Sequence, residues 1–451
     1  MRPFIVRAAL LAAVFVPLLG SAPAAAASRD PADRARAGAP GAMPRAIARL
    51  VASPAAPGSA EPNLARGPDG RVWLTWIEPD PAPRRARGGA PRYRLRCAAL
   101  SGDGWSPAST IAEGDSLFVN WADLPSLAPL SDGRLVAHWL WRNGSDPYAY
   151  EVRLSESRDG GSSWSRPVRA HGDVSSAEHG FVSMVPGEDG VHLVWLDGRK
   201  GAGKPEGTAE TELRSARLEA AGSVVGEQLL DPRTCDCCPT AAVAIPGGVL
   251  VAYRDRGASE IRDISLLRLA GGRWSEPYPL DADGWTIAGC PVNGPSLAAS
   301  GKRVVAAWTT GASDSARVLA AFSDDGGTHF GAPVLVDGAS PLGRVQVMML
   351  RDLSALVLWL GSASSPSSTR HDGLILARRV SAAGTVGPPV LLARTSSARA
   401  SGLPRMARAG GAIVFAWTEA APAGAPGARP APKQIRVATA SLGAFGGAGR
   451  K

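Results

Sequence analysis

The sequence predicts an all-β fold: a β-propeller of seven four-stranded blades, closed by strands from both ends of the chain. Three observations predict it: a sevenfold repeat of short strand runs, a composition hostile to helix, and chain ends that complete each other. Short β-branched and apolar runs ending in an aromatic recur along the 451 residues, with the aromatic at Trp76, Trp139, Trp195, Tyr253, Trp308, Trp359 and Trp417. The spacings lie between 51 and 63 residues, room for four strands and their turns. A turn signal such as Asp69-Gly70, Asp132-Gly133 or Asp189-Gly190 precedes each run, and before it lies another short run such as Pro62-Asn63-Leu64-Ala65. An alternating strand follows, as in Tyr150-Glu151-Val152-Arg153-Leu154, and then a fourth strand such as Pro333-Val334-Leu335-Val336.

The chain holds 53 Gly and 38 Pro, about a fifth of its residues, without a collagen triplet and with 45% apolar content. This excludes fibrous and disordered chains. It also disfavours a helical bundle, since Gly and Pro cost a helix about 1 and 3 kcal/mol each. The seventh repeat stops after its third strand, Gln434-Ile435-Arg436-Val437-Ala438-Thr439. Residues 46–52 supply a candidate for the missing outer strand, and closure of this kind removes an exposed sheet edge. Six blades with an extra sheet is the alternative count.

Arg2 and Arg7, the apolar run Ala8 to Leu19 and the small residues ending at Ala27 have the order of a signal peptide. Twelve apolar residues are short for a span of about 20. The expected division is a signal peptide over 1–27, a flexible leader over 28–45, the propeller over 46–443 and a disordered tail over 444–451. Abundant Arg and Ala with few Lys suggests a high-GC bacterium, and hence a periplasmic or secreted monomer with no membrane span after cleavage. The net charge of +9 does not indicate a nucleic-acid partner. Residues 1–60 carry five of those nine charges, and the remainder has no basic run.

Ser157-Arg158-Asp159-Gly160-Gly161-Ser162-Ser163-Trp164 fits an S-x-D-x-G-x-[ST]-W turn, and Ser323-Asp324-Asp325-Gly326-Gly327-Thr328-His329-Phe330 is a slightly degraded copy. Each falls between the third and fourth strands of its repeat. The Asp side chain accepts turn N–H groups, the glycines supply positive φ, and the final aromatic plugs between blades. These turns resemble the Asp boxes (BNR repeats) of the sialidase-like propeller superfamily; Ser157, Asp159, Gly161, Trp164, Ser323, Asp325, Gly327 and Phe330 are the structural residues implied. The resemblance further implies an exo-alpha-sialidase-like hydrolase with three arginines for a substrate carboxylate, a Tyr–Glu pair and an Asp acid. The sequence departs from it: the family's Arg-Ile-Pro motif is absent, no Tyr–Glu pair is evident, and only Tyr148 and Tyr150 stand as candidates. Fold resemblance alone does not deliver function.

In a propeller, the loops between blades share one face with the loops joining second and third strands. Sorting residues by that rule gathers Trp121, Asp123, His179, the Cys235-Asp236-Cys237-Cys238 run, Cys290 and Asn293 at one mouth, with Arg142, Arg199, Arg254 and Arg256. Arg142, Arg199 and Arg254 follow the second strands of consecutive blades, so they are candidates to meet one anionic ligand by bidentate pairing. An ion-pair network of Arg254, Asp255, Arg256, Glu260, Arg262 and Asp263 is the competing reading. Trp121 either stacks a sugar or seals blades.

Four of the five cysteines share that mouth. One reading is a disulfide from the cluster to Cys290; another is a copper or zinc site of Cys235, Cys237, Cys238 and Cys290 with His179; a third is redox-active thiol chemistry. Three function classes follow. The first is a propeller that binds, and in one version hydrolyses, a glycan or anionic small molecule. The second is a metal-binding or thiol-redox propeller. The third is an interaction scaffold for a protein ligand.

Overall fold

The computed structural model describes residues 46–81, 91–102, 104–204, 210–363, 372–419 and 432–446. The expected signal peptide and leader lie outside them. Among the described residues no helix is long and apolar enough to cross a membrane.

Seven antiparallel four-layered blades are present among the described residues, so the seven-blade count holds and the six-blade alternative does not. The first strands are Ala60–Arg66, Ser126–Pro129, His179–Gly187, Ala241–Ile245, Ser296–Ser300, Pro341–Met349 and Arg405–Ala409, opening blades 1 to 7. In blades 1 and 4 the outer strand is broken into two short pieces, Gly104–Trp105 with Ser109–Gly114 and Arg273–Trp274 with Tyr278–Asp281. Blade 7 is completed from the other end of the chain: Arg49–Val51 pairs with Gln434–Ser441 in the register Arg49 to Thr439, Leu50 to Ala438 and Val51 to Val437. At the C-terminal side Leu442–Phe445 forms a short 3-10 turn, and Phe445 is buried against Phe415. The packed fold therefore reaches Phe445, two residues beyond the expected end of the propeller at 443.

The core lies between blades. Seven apolar clusters each join two neighbouring blades, from blades 1 and 2 around Trp73, Leu95 and Trp139 to blades 7 and 1 around Trp76, Val414 and Val437. The repeat aromatic explains this placement. On a pleated strand residues two apart share a face, so every second strand sends one large ring into the seam. Trp76, Trp139, Trp195, Tyr253, Trp308, Trp359 and Trp417 are all buried. Each contributes about 2–3 kcal/mol relative to exposure. Two of these indoles find their polar partner on the same strand face: Trp76 Nε1 donates to Glu78 at 2.9 Å and Trp195 Nε1 to Asp197 at 2.8 Å.

Polar residues stitch the innermost strands to their neighbours. Asn63 donates to the Pro125 carbonyl, Ser183 meets Thr240, Ser296 accepts from the Val347 amide, and Gln346 accepts from the Met406 amide. The turn at Ser157 folds as its sequence dictates. Ser157 Oγ accepts from Gly161 N at 2.8 Å, Asp159 accepts from Ser163 N at 2.9 Å, and Trp164 packs on the seam of blades 1 and 2. The turn at Ser323 repeats this, with Gly327 N on Ser323 Oγ, His329 N on Asp325, and Phe330 on the seam of blades 4 and 5.

Candidate functional site

The mouth between blades 2 and 4 carries two clusters of chemistry, one acidic and one of thiols. The acidic one begins with Tyr150, the first residue of strand Tyr150–Ser157 in blade 2, and Glu178, which directly precedes the first strand of blade 3. A parallel bridge joins these residues, and the Tyr150 hydroxyl donates a short hydrogen bond to Glu178. The ring of Tyr150 is fully buried and stacks on Phe118 at 4.2 Å, so only Glu178 reaches the surface. Asp123 is buried alongside and accepts from the Phe181 amide at 2.7 Å. Gly180 permits this approach, because a Cβ there would lie 2.0 Å from Asp123 Oδ2 and 3.1 Å from the Tyr150 ring.

Burial pushes the Asp123 carboxyl up to about 8, against the Phe181 amide and with help from the Glu178 charge. Burial likewise raises Glu178 to about 7; the Tyr150 hydrogen bond opposes this and the Asp236 charge adds to it. Tyr150 is held well above its ordinary value by burial and then by Glu178. These are carboxyl groups that carry or exchange protons near neutral pH, which is what acid–base chemistry requires. The sequence pointed to Asp123 and to Tyr150 as a candidate, but not to the pairing of Tyr150 with Glu178, which is assembled across two blades.

His179 does not join the cysteines. Its ring stacks on His171 at 4.0 Å, Nε2 lies 3.0 Å from Asp173, and Nδ1 faces the Tyr150 and Ala177 carbonyls. Burial and the neighbouring His179 lower His171 to about 4. Every polar atom of the His179 ring is thus engaged by blades 2 and 3, which corrects its assignment as a metal ligand with the thiols.

The arginines do not converge either. Arg254 is buried, and its Nε, Nη1 and Nη2 donate to the carbonyls of Asn293, Arg262 and Thr309 at 2.9, 2.5 and 2.7 Å while its plane covers Trp285. Arg199 is held by Asp197 and Glu227 at 2.7 and 2.6 Å, and Arg256 by Glu260. Arg142 is exposed, leans on the Phe118 ring and reaches the Pro147 carbonyl. Asn293 ties blade 5 to blade 6, accepting from the Arg344 amide and donating to the Leu342 carbonyl. Trp121 is half-buried beneath the Arg344 guanidinium, as a blade seal would be. Arginines gather instead at the opposite opening. There Arg66, Arg351 and Arg408 line a cavity of about 450 Å³, and among the described residues none of the three forms an ion pair.

The thiol cluster sits where blade 4 begins. All five cysteines are free, so no bridge joins the cluster to Cys290. Cys235 Sγ lies 3.8 Å from Cys237 Sγ and 3.5 Å from Cys238 Sγ, and it accepts a 3.1 Å hydrogen bond from Arg262 Nη1. Arg262 is itself held by Glu260 at 2.8 Å and reaches Asp236 at 3.8 Å. Hydrogen bonds from Cys237 and Cys238, with Arg262, hold the Cys235 thiol far below its usual value, whereas burial pushes Cys238 up. Cys290 is exposed, 3.4 Å from Asp236 Oδ1. Its loop packs against the cluster because residue 294 is glycine; a Cβ there would lie 1.9 Å from the Pro239 carbonyl. Cys97 is remote, buried in the seam of blades 1 and 2 with its sulfur 3.1 Å from Ser109 Oγ.

No protein-family model matches the chain, and no curated protein matches it. Solved structures do. A protein of unknown function from Dyadobacter fermentans is 17% identical over 89% of this chain and 99% of its own, with a TM-score of 0.47. The polysaccharide lyase Uly1 is 10% identical over 92% and 96%, with a TM-score of 0.49. A leech intramolecular trans-sialidase is 11% identical over 83% and 89%, with a TM-score of 0.44. The class is that of a seven-bladed β-propeller, established in this chain by the strand order and register above.

Proposed function

We propose that this chain is an exported bacterial propeller that binds and processes a glycan at the mouth of blades 2 and 3, as a monomer. The observation that carries this reading is the Tyr150–Glu178 hydrogen bond beside the buried, proton-holding Asp123. In the reaction this arrangement serves, the departing glycosidic oxygen takes its proton from solvent, since Asp123 is buried and only Glu178 reaches the surface. Glu178, oriented by Tyr150, takes the proton of an attacking water. Tyr150 and Asp123, being buried, are positioning residues that set the proton affinity of Glu178. An anionic substituent has Arg142 and the exposed edge of Arg199 within the same mouth, rather than a ring of three free guanidinium groups.

The test is hydrolysis of 4-methylumbelliferyl glycosides, neutral, uronic and sialic, by the wild type and by Glu178→Gln and Asp123→Asn. The expected result is release from one glycoside class, reduced at least 100-fold in both variants, with binding of the same sugar retained. Equal rates in wild type and variants, or no sugar bound by the wild type, refutes the reading.

A further inference from the structure

The acidic cluster leaves a second constellation at the same mouth unused. Three sulfurs, those of Cys235, Cys237 and Cys238, lie within 4.8 Å of one another, and a second set of Asp236, Cys237 and Cys290 meets the same limit and shares Cys237. Thiolates bound to an ion at about 2.3 Å stand about 3.8 Å apart in a tetrahedron and about 4.0 Å apart in a triangle. The Cys235 sulfur is 3.5 and 3.8 Å from its two neighbours, so little movement separates the free thiols from a ligand set.

The surroundings suit thiolates. Cys235 and Cys238 are buried, which excludes water from two ligands, while Cys237 is half-buried and Cys290 opens to solvent. Three thiolates around a cation leave net negative charge in a low-dielectric seam, and the Arg262 guanidinium on Cys235 Sγ, locked there by Glu260, offsets part of it. Backbone holds the cluster too: the Cys235 amide donates to the Arg254 carbonyl at 3.1 Å. Soft sulfur ligands select thiophilic d10 ions over Mg or Ca.

We propose that Cys235, Cys237 and Cys238 form a thiolate site for one soft d10 cation, Cu(I) or Zn(II), with Cys290 and Asp236 at its open side. Binding displaces thiol protons to solvent and changes no oxidation state. The two ions make different use of the open side. Cu(I) is satisfied by three sulfurs, whereas tetrahedral Zn(II) takes Cys290 as a fourth ligand. The site is independent of the glycan reading, since it shares no residue with Tyr150, Glu178 and Asp123.

The experiment titrates the reduced full chain with Zn(II) and with Cu(I) under anaerobic conditions, against a chromophoric chelator, following sulfur-to-metal absorption. The expected result is one ion per chain, lost in Cys237→Ser and Cys238→Ser. Cys290→Ser weakens Zn(II) at least tenfold and leaves Cu(I) binding unchanged. Circular dichroism and the melting temperature of each variant separate ligand loss from unfolding. No uptake by the reduced chain, or uptake equal in all variants, overturns the proposal.

Discussion

Replacing Asp123 by asparagine should uncouple stability from pH over a defined window. Asp123 is held near 8 by burial, while an aspartate in the unfolded chain titrates near about 3.9. Below about pH 4 both states carry the proton and ionisation costs the fold nothing. Between about 4 and 8 the unfolded chain has released the proton and the folded chain has not, so stability falls by about 1.4 kcal/mol per pH unit. Above 8 both states are ionised and the loss stops growing. The amide of the Asp123→Asn variant keeps an oxygen for the Phe181 N–H and has no proton to lose. The raised Glu178 titrates in both proteins and largely cancels in their difference. Urea unfolding of wild type and Asp123→Asn at pH 5, 6, 7, 8 and 9 should therefore give a stability difference that shifts in favour of the variant by about 4 kcal/mol from pH 5 to 8 and then levels. That is a large part of a domain's usual stability of about 5–15 kcal/mol. A difference independent of pH would mean that Asp123 is ionised in the fold, and its role as a proton-holding neighbour of Glu178 would fall with it.

Three further outcomes follow from the geometry. Gly326→Ala should cost about 1 kcal/mol, because φ is +73° there and the new methyl meets only side chains, the nearest being Arg268 at 3.5 Å. Gly327→Ala should cost about 1–3 kcal/mol more, since its methyl would fall 2.5 Å from Leu250 Cδ2; equal melting temperatures would contradict the packing of this turn on blade 4. Truncation to residue 53 removes Arg49–Val51 and bares strand Gln434–Ser441, so the melting point should drop and self-association should appear by sedimentation. Tyr150→Phe removes a donor that lowers the Glu178 pKa, so the Glu178 titration observed by carboxyl 13C NMR should move above about 7; an unmoved midpoint would break the pair.

The fold was legible in the sequence because its signals are local and repeated. An aromatic in each second strand, a Gly turn before it and a lone outer strand at the N-terminal side each follow from one stretch of chain. Arg49–Val51 was legible because an edge without a partner asks for one. The site was legible as a face but not as a set of contacts. Arg254 ends a strand at the mouth, as its place in the repeat implies, yet its guanidinium turns beneath Trp285 and is spent on three carbonyls, two from loops and that of Thr309 from strand Arg303–Thr310. His179 is held by its own connection, through Asp173, Ala177 and the stacked His171 ring, and from outside it by the Tyr150 carbonyl. Tyr150 and Glu178 are 28 residues apart. Their signal was present in two positions that the topology sends to the same mouth, but pairing them requires the blade angle, which no periodicity encodes.

The acidic and thiol clusters are not electrically separate, and Asp236 is the reason. It lies within 3.4 Å of the Cys290 sulfur and 3.8 Å of Arg262, and its charge is also one cause of the raised Glu178 carboxyl. A cation held by the thiolates would stand beside Asp236 and offset the repulsion that Asp236 exerts on Glu178. The thiolates themselves bring negative charge, so the sign of the effect depends on the net charge of the filled site. Three thiolates with Cu(I) or four with Zn(II) carry a formal charge of about −2, part of which Arg262 neutralises. Such a site would push Glu178 further up and strengthen its hold on a proton. Linkage makes this reciprocal: ionising Glu178 would weaken cation-bound thiolates by the same free energy. A filled thiol site should therefore move the Glu178 midpoint upward, and an unmoved midpoint on loading with the cation would show that the two clusters titrate independently.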